Sequence, residues 1–201
     1  MTDSARPLVH VVDDDEALRD SLRWLLESAR HCVATYAAAE SFLATYDPER
    51  AGCLVLDIRM PGMSGLELQD ELKRRGHTIP IIFVTGHGDV PMAVNAVKKG
   101  ALEFIEKPFN DKAFLVLIKN ALAFDAETRR AAARLVTLTR REREVMELIV
   151  AGKRNQDIAA KLSINIKTVE AHRANVMRKT GVDSLAELVQ LVHGAGAPRH
   201  R

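Results

Sequence analysis

Leu54-Val-Leu-Asp-Ile-Arg-Met-Pro-Gly-Met-Ser-Gly65 opens as an unbroken apolar run and turns polar at Asp57. Leu66, Leu68 and Leu72 then recur at helical spacing. A short run that is apolar at successive positions reads as a strand buried on both faces, which is the pattern of a parallel sheet covered by helices. The same alternation appears on either side of this stretch. Leu8-Val-His-Val-Val12 is a buried strand, followed by Leu18, Leu22, Leu25 and Leu26 on a helix. A short strand at Cys32 to Tyr36 precedes a helix at Ala39 to Thr45. Ile81-Ile-Phe-Val84 precedes a helix at Val90 to Lys99. Leu102 to Ile105 is the last strand, and a helix starts near Asp111. Five strand–helix units with right-handed crossovers predict a flavodoxin-like, doubly wound, five-stranded parallel sheet.

In such sheets the functional residues gather beyond the carboxyl ends of the strands. Here those positions hold Asp13, Asp14, Asp57, Thr85 and Lys107. Three carboxylates at one sheet edge repel one another and call for a cation, and hard oxygen ligands suit Mg²⁺. Asp57 is the candidate nucleophile, since a carboxylate can attack phosphorus to form an acyl phosphate. Lys107 supplies a fixed positive charge, and Thr85 a hydroxyl. Each residue alone has a plainer role: Asp13 to Asp15 as acids favoured by a helix macrodipole, Thr85 as a strand end, Lys107 as a surface lysine. Their recurrence at successive strand ends favours a shared site.

From residue 125 onward the chain carries 15 basic against 9 acidic residues, and before it 14 against 18. An acidic half followed by a basic half suggests regulation coupled to nucleic-acid binding. Asp111 to about Arg134 has no Gly or Pro, so the last helix of the first domain is expected to run on as a helical linker over residues 125–135. Thr139 with Glu142 forms a capping box, Gly152 closes that helix and Asn155 is expected to cap the next. Ser163-Ile-Asn165 is a tight turn, and Ile166 to Thr180 a second helix ended by Gly181. Ser184 caps the last one. Ile158, Ala159 and Leu162 face Val169 and Val176, leaving Lys167, Thr168, Glu170, Ala171, Arg173, Ala174, Arg178 and Lys179 outward. Basic residues on such a helix neutralise phosphates, and small Ala171 and Ala174 permit close approach to base edges. The expected domains are 1–124, the linker at 125–135, and a four-helix domain at 136–193. The tail from Gly194 to Arg201 is expected to be disordered.

With 47% hydrophobic and 28% charged residues the composition is that of a globular protein, and no apolar run approaches the ~20 residues of a membrane span. Met1 to Pro7 lacks a signal-peptide core, so a cytoplasmic location is the default expectation. Cys32 and Cys53 match no zinc or redox spacing and read as reduced thiols.

Val11-Val-Asp-Asp-Asp15, Leu56 to Gly65, Val84-Thr-Gly86 and Glu106-Lys-Pro108 together resemble the receiver domain of two-component response regulators. Leu138-Thr-Arg-Arg-Glu-Arg-Glu-Val145, Ile158-Ala, Lys167-Thr-Val-Glu-Ala-His172 and Lys179 resemble a LuxR-type helix-turn-helix domain. The combination is similar to the NarL/FixJ family, and Thr85 to Ala93 with Phe104 to Phe109 is most similar to its FixJ branch. The resemblance implies that Asp57 accepts a phosphoryl group from a sensor histidine kinase. It implies Mg²⁺ held by Asp14, Asp57 and the Arg59 carbonyl, with Asp13 on a coordinated water. Gly62 and Gly65 fit the tight turn after the nucleophile, where a Cβ could obstruct the backbone. Thr85 and Phe104 would be switch residues, though Phe104 also reads as core packing. Arg59 and His87 would flank the phosphoryl group, and since neither is a carboxamide a moderately long-lived phosphoryl group is expected.

For the second domain the resemblance implies base-edge contacts by Lys167, Glu170, Ala171 and Ala174. Thr168, Arg173, Arg178 and Lys179 would hold phosphates. Leu185, Leu188, Val189 and Val192 would pack the domain and help pair it with a second copy. Receivers of the family pair through the fourth helix and fifth strand, here Val90, Pro91, Val94 and Lys98, giving a homodimer when phosphorylated. The implied partners are a sensor kinase, double-stranded DNA and RNA polymerase, and the implied role a transcription factor, most often an activator. No enzymatic activity beyond self-phosphotransfer is expected. A phosphatase of the haloacid dehalogenase class would need a second Asp two residues after the nucleophile, where Arg59 stands. The remaining alternative is a DNA-binding regulator with an inactive receiver.

Overall fold

The computed structural model describes residues 6–86 and 90–194. The chain divides into two compact units, Met1–Ala126 and Glu127–Arg201. In the first, five parallel strands alternate with helices. They are β1 (Leu8–Val12), α1 (Glu16–Ser28), β2 (Cys32–Tyr36), α2 (Ala39–Thr45), β3 (Gly52–Asp57), α3 (Gly65–Arg74), β4 (Ile81–Thr85), α4 (Val90–Lys98), β5 (Glu103–Glu106) and α5 (Asp111–Val136). The strand order is β2-β1-β3-β4-β5, the doubly wound flavodoxin-like arrangement. The last strand sits one residue later than the apolar run suggests, because Glu103 and Glu106 pair with Ile82 and Thr85 of β4.

Side chains alternate along each strand, so one apolar run feeds two cores. Val12, Leu54, Leu56 and Phe83 pack with Phe42, Leu68, Leu72 and Ala96 on one face. Val9, Val11, Val55, Ile82 and Val84 pack with Leu22, Leu26, Phe114 and Ile118 on the other. Burying each such side chain contributes about 1.5–3 kcal/mol before entropy is counted. That is why the central strand β3, buried at every position, anchors the sheet.

At the amino edge of the sheet Gly52 is pressed against β1. A Cβ there would stand 2.1 Å from the Leu8 carbonyl oxygen. Its N–H donates to the buried Asp125 carboxylate at 2.9 Å, which ties α5 to the start of β3. α5 is a single helix through Val136.

The second unit holds the end of α5 and four further helices: α6 (Arg140–Val150), α7 (Asn155–Leu162), α8 (Ile166–Thr180) and α9 (Leu185–Gly194). Val145, Ile149, Ile158, Val169, Val176 and Leu188 form its core. Thr139 and Glu142 close a capping box on α6, and Ser184 accepts the Glu187 N–H at 3.2 Å at the start of α9. One cap differs from its expected place. Asn155 is the first residue of α7, and extended Arg154 stands at the cap. The Asn155 amide oxygen is instead drawn across to Arg173, at 3.2 Å. Asp157 meets the free Arg154 N–H at 3.3 Å.

Candidate phosphoryl and nucleic-acid sites

Parallel register brings the strand ends of the first unit side by side. Val12 pairs with Leu56, Asp57 with Val84 and Thr85 with Glu106. Residues at or just past those ends therefore share one edge. Lys107 reaches between two of them: its Nζ donates to Asp13 Oδ2 at 2.9 Å and to Asp57 Oδ1 at 2.8 Å. Asp13 is almost fully buried and Asp57 nearly so. Backbone donors hold the remaining carboxylate oxygens. The Asp15 N–H donates to Asp13 Oδ1 at 2.9 Å, and the Arg59 N–H to Asp57 Oδ2 at 2.6 Å.

One ammonium shared by two buried carboxylates leaves an excess of negative charge. Burial raises the Asp57 pKa above its ordinary value. The Lys107 hydrogen bond and charge oppose that rise, and the Asp13 charge adds to it. Burial alone would lower Lys107, but its bonds to Asp57 and Asp13 outweigh burial and raise it. Lys107 is thus held as a cation by two carboxylates, and it does not fully offset the cost of burying Asp57 beside Asp13.

The turn after Asp57 depends on two glycines. A Cβ on Gly65 would lie 2.0 Å from the Asp57 carbonyl oxygen. Gly62 has φ +73, a left-handed conformation that disfavours a side chain. Two polar partners escaped the sequence reading. Arg19 donates to the Asp13 carbonyl at 2.8 Å, and Glu40 of α2 accepts the Met63 N–H at 3.2 Å. Arg19 lies one helical turn beyond Asp15, on the helix that starts at the site, which was a readable sign. Glu40 carried none.

Asp13 and Asp57 meet through Lys107, and Asp14 is exposed. Among the described residues no group of three His, Cys, Asp or Glu side chains could hold a metal ion by itself. Thr85 is fully buried, its hydroxyl 3.3 Å from the Gly86 carbonyl oxygen. Phe104 is half-buried against the Phe83 and Leu56 cluster. Arg59 is exposed. On α4, Val94 and Lys98 are exposed; the side chains of Val90 and Pro91, like His87, lie outside the described residues. So does the chain after Gly194. No described helix is long and apolar enough to cross a membrane.

In the second unit α7 and α8 meet at a short turn. Ser163 adopts a left-handed conformation with φ 53. Asn165 then caps α8, its Oδ1 accepting the Thr168 N–H at 2.7 Å and the Thr168 hydroxyl at 2.9 Å. With Val169 and Val176 turned into the core, Lys167, Glu170, Ala171, Ala174 and Arg178 are left exposed. Thr168, Arg173 and Lys179 are half-buried. The Lys179 ammonium bonds inside the unit, to the buried Glu142 carboxylate at 2.7 Å. In α9, Leu188 is buried in the core while Leu185 is exposed.

Two family descriptions match this chain: the response regulator receiver domain over residues 9–119, and the bacterial regulatory proteins of the luxR family over residues 136–192. The transcriptional regulatory protein FixJ of Azorhizobium caulinodans is 47% identical over 195 residues, covering 94% of this chain and 92% of that protein. Among solved structures, the response regulator StyR is 47% identical with a TM-score of 0.61, covering 94% of this chain and 99% of StyR. Full-length FixJ from B. japonicum is 42% identical with a TM-score of 0.57, covering 96% of this chain and 98% of that one.

Proposed function

Since this chain belongs to the response regulators that join a receiver domain to a LuxR-type DNA-binding domain, we propose that its transcriptional output is switched by phosphorylation of Asp57. The observation that carries this reading is the Lys107 ammonium shared by Asp13 and Asp57 at a sheet edge where a like charge already crowds the nucleophile. A carboxylate whose pKa is raised by burial and by the Asp13 charge is a more basic nucleophile, and the added charge of a phosphoryl group would call on Lys107 and a cation to offset it. An Asp57 oxygen forms the O–P bond while the N–P bond of a kinase phosphohistidine breaks, and the electron pair leaves with the imidazole. Lys107 stays within reach of the same oxygen and holds the transferred group's charge.

The donor chemistry of the edge fits Mg²⁺. It offers hard carboxylate oxygens in net excess over cationic charge, and Mg²⁺ is held by one or two carboxylates with water rather than by a full side-chain cage. Asp14, Asp57 and the Arg59 carbonyl would hold it, with Asp13 on a coordinated water. When bound, it would neutralise phosphoryl oxygens during in-line transfer. Lys107 and the Arg59 N–H orient the Asp57 carboxylate, and Gly65 lets α3 begin directly behind it.

Thr85 completes the switch. Among the described residues its hydroxyl meets the adjacent carbonyl at 3.3 Å, a weak partner that a phosphoryl oxygen would displace. The state in which Thr85 and Lys107 both reach the phosphoryl group is then favoured by their differential contact. Phe104, packed at the rim of the same core, would bury further in that state. The exposed part of α4, with Val94 and Lys98 beside Val90 and Pro91, would pair with a second copy, matching two-fold half-sites on DNA. Lys167, Glu170, Ala171 and Ala174 would face base edges, with Thr168, Arg173 and Arg178 on phosphates. Recruitment of RNA polymerase by the bound dimer would make the protein an activator.

Incubation with acetyl phosphate and Mg²⁺ tests the reading. The wild type should gain the mass of one phosphoryl group and Asp57→Ala should gain none. Equal gain in both proteins would contradict it.

A further inference from the structure

The C-terminal end of α8 is tied down in a way the reading above does not use. Lys179 Nζ lies 2.7 Å from Glu142 Oε2 and 3.4 Å from the Thr137 carbonyl oxygen. The Glu142 side chain is only 5% exposed. The same Oε2 accepts the Thr139 N–H at 2.8 Å, so one carboxylate closes the cap of α6 and grips α8. One residue further on, the Thr180 carbonyl accepts from Arg134 at 3.5 Å, a cation at the negative end of the helix. The other half of α8 is different: Lys167, Glu170, Ala171 and Ala174 face outward and none of them is drawn into the core.

We propose that Lys179 is a positioning residue: with Glu142 it forms a brace that sets the angle at which α8 is presented to DNA, rather than contacting a phosphate. The inference rests on the reading of α8 as the recognition helix. A lysine reaching for phosphate must leave its ammonium in solvent, and this one lies against a carboxylate that has almost no water of its own. Withdrawing it would strand a buried negative charge. Lys179 first, then the Thr139 backbone N–H, holds the Glu142 carboxyl at about 2, so the pair stays ionised at any physiological pH. Sequence separation hides the pair, since its members are 37 positions apart.

Phosphate contact and positioning differ in their salt dependence. A lost phosphate contact lowers the slope of log K against log salt by about 0.9, and does so equally for all sequences. A lost brace leaves the slope unchanged and erodes the preference for the specific site. The test uses the full chain with acetyl phosphate, a genomic duplex recovered with the wild type, and poly(dI-dC) as non-specific competitor. Lys179→Met and Glu142→Gln should each weaken specific binding several-fold with the wild-type salt slope. The double variant should be no worse than either single one, because the two groups act as one unit. Melting curves confirm that each variant is folded at the assay temperature, and the double variant, which strands no charge, keeps the test decisive if a single one unfolds. A reduced slope for Lys179→Met with wild-type discrimination in Glu142→Gln overturns the proposal. Lys167→Ala separates the underlying reading. If it leaves discrimination intact while the brace variants also do nothing, α8 is not the recognition helix and the inference falls with it.

Discussion

Each unit contains a half-buried lysine against a buried carboxylate, and the two pairs are built in opposite ways. Lys107 is divided between Asp13 and Asp57, and the Asp57 pKa is raised because burial and a like charge outweigh one ammonium. Lys179 serves one carboxylate, Glu142, which also takes a backbone N–H, and its pKa is driven down to about 2. The first site is under-neutralised at the end of a strand, open to a reaction that changes its charge. The second is saturated and resists change. A lysine–carboxylate contact alone therefore says little about function; the balance of charge around it separates a reactive site from a brace.

The largest expected effect breaks the first pair outright. Asp57→Ala removes phosphoryl transfer completely, and mass measurement after phosphodonor treatment reads it. Next comes the floor beneath that residue. Gly65→Ala drives a Cβ to 2.0 Å from the Asp57 carbonyl oxygen and should cost the first unit about 3 kcal/mol in denaturant unfolding. An unchanged midpoint would mean the turn has room the distance denies.

Smaller effects test the contrast in sign. For Asp57 the folded pKa lies above its ordinary 3.8, so stability is lost as pH rises through that interval, and Asp57→Asn should relieve the loss. At neutral pH this variant should raise the melting temperature of the first unit. For Glu142 the folded pKa lies below its ordinary 4.5, so its stabilisation is present above that value and lost as pH falls toward about 2. Glu142→Gln should therefore lower the melting temperature of the second unit at neutral pH. If both carboxamide variants shift stability in the same direction, the contrast between the sites is wrong.

The smallest effect concerns His10. Burial, then the Arg50 charge, lowers its pKa from 6.5 to about 4, and its ring stacks on Tyr36 and meets Phe42 and Tyr46 edge-on. A histidine kept neutral by folding weakens the fold as pH falls through that window. Hydrogen exchange of first-unit amides should accelerate between pH 6.5 and 4 beyond its intrinsic change, and His10→Phe should flatten that trend.

What the sequence made legible follows from the range of the forces involved. Strands β1, β3 and β4 are buried on both faces, so each appears as an apolar run without needing the rest of the fold. Parallel topology turns their ends into one site, which makes Asp13, Asp57, Thr85 and Lys107 readable together. What depends on distant side chains was not readable. Asn155 looks like a cap until Arg173 claims its amide. The contact between Lys179 and Glu142 joins two helices that no local pattern links. Glu40 braces the turn after Asp57 from another helix, and nothing in its neighbours announces it. Asp14, the second of three consecutive aspartates, is exposed beside buried Asp13, a difference that composition does not reveal.

Asp57 in the first unit is proposed to govern DNA binding by the second. Genome-wide mapping of DNA occupancy with the wild type and Asp57→Ala tests it most directly. A set of sites occupied by the wild type and vacated or strongly reduced in Asp57→Ala is the predicted result. Indistinguishable occupancy by the two proteins, under conditions where the wild type carries the phosphoryl group, would contradict it.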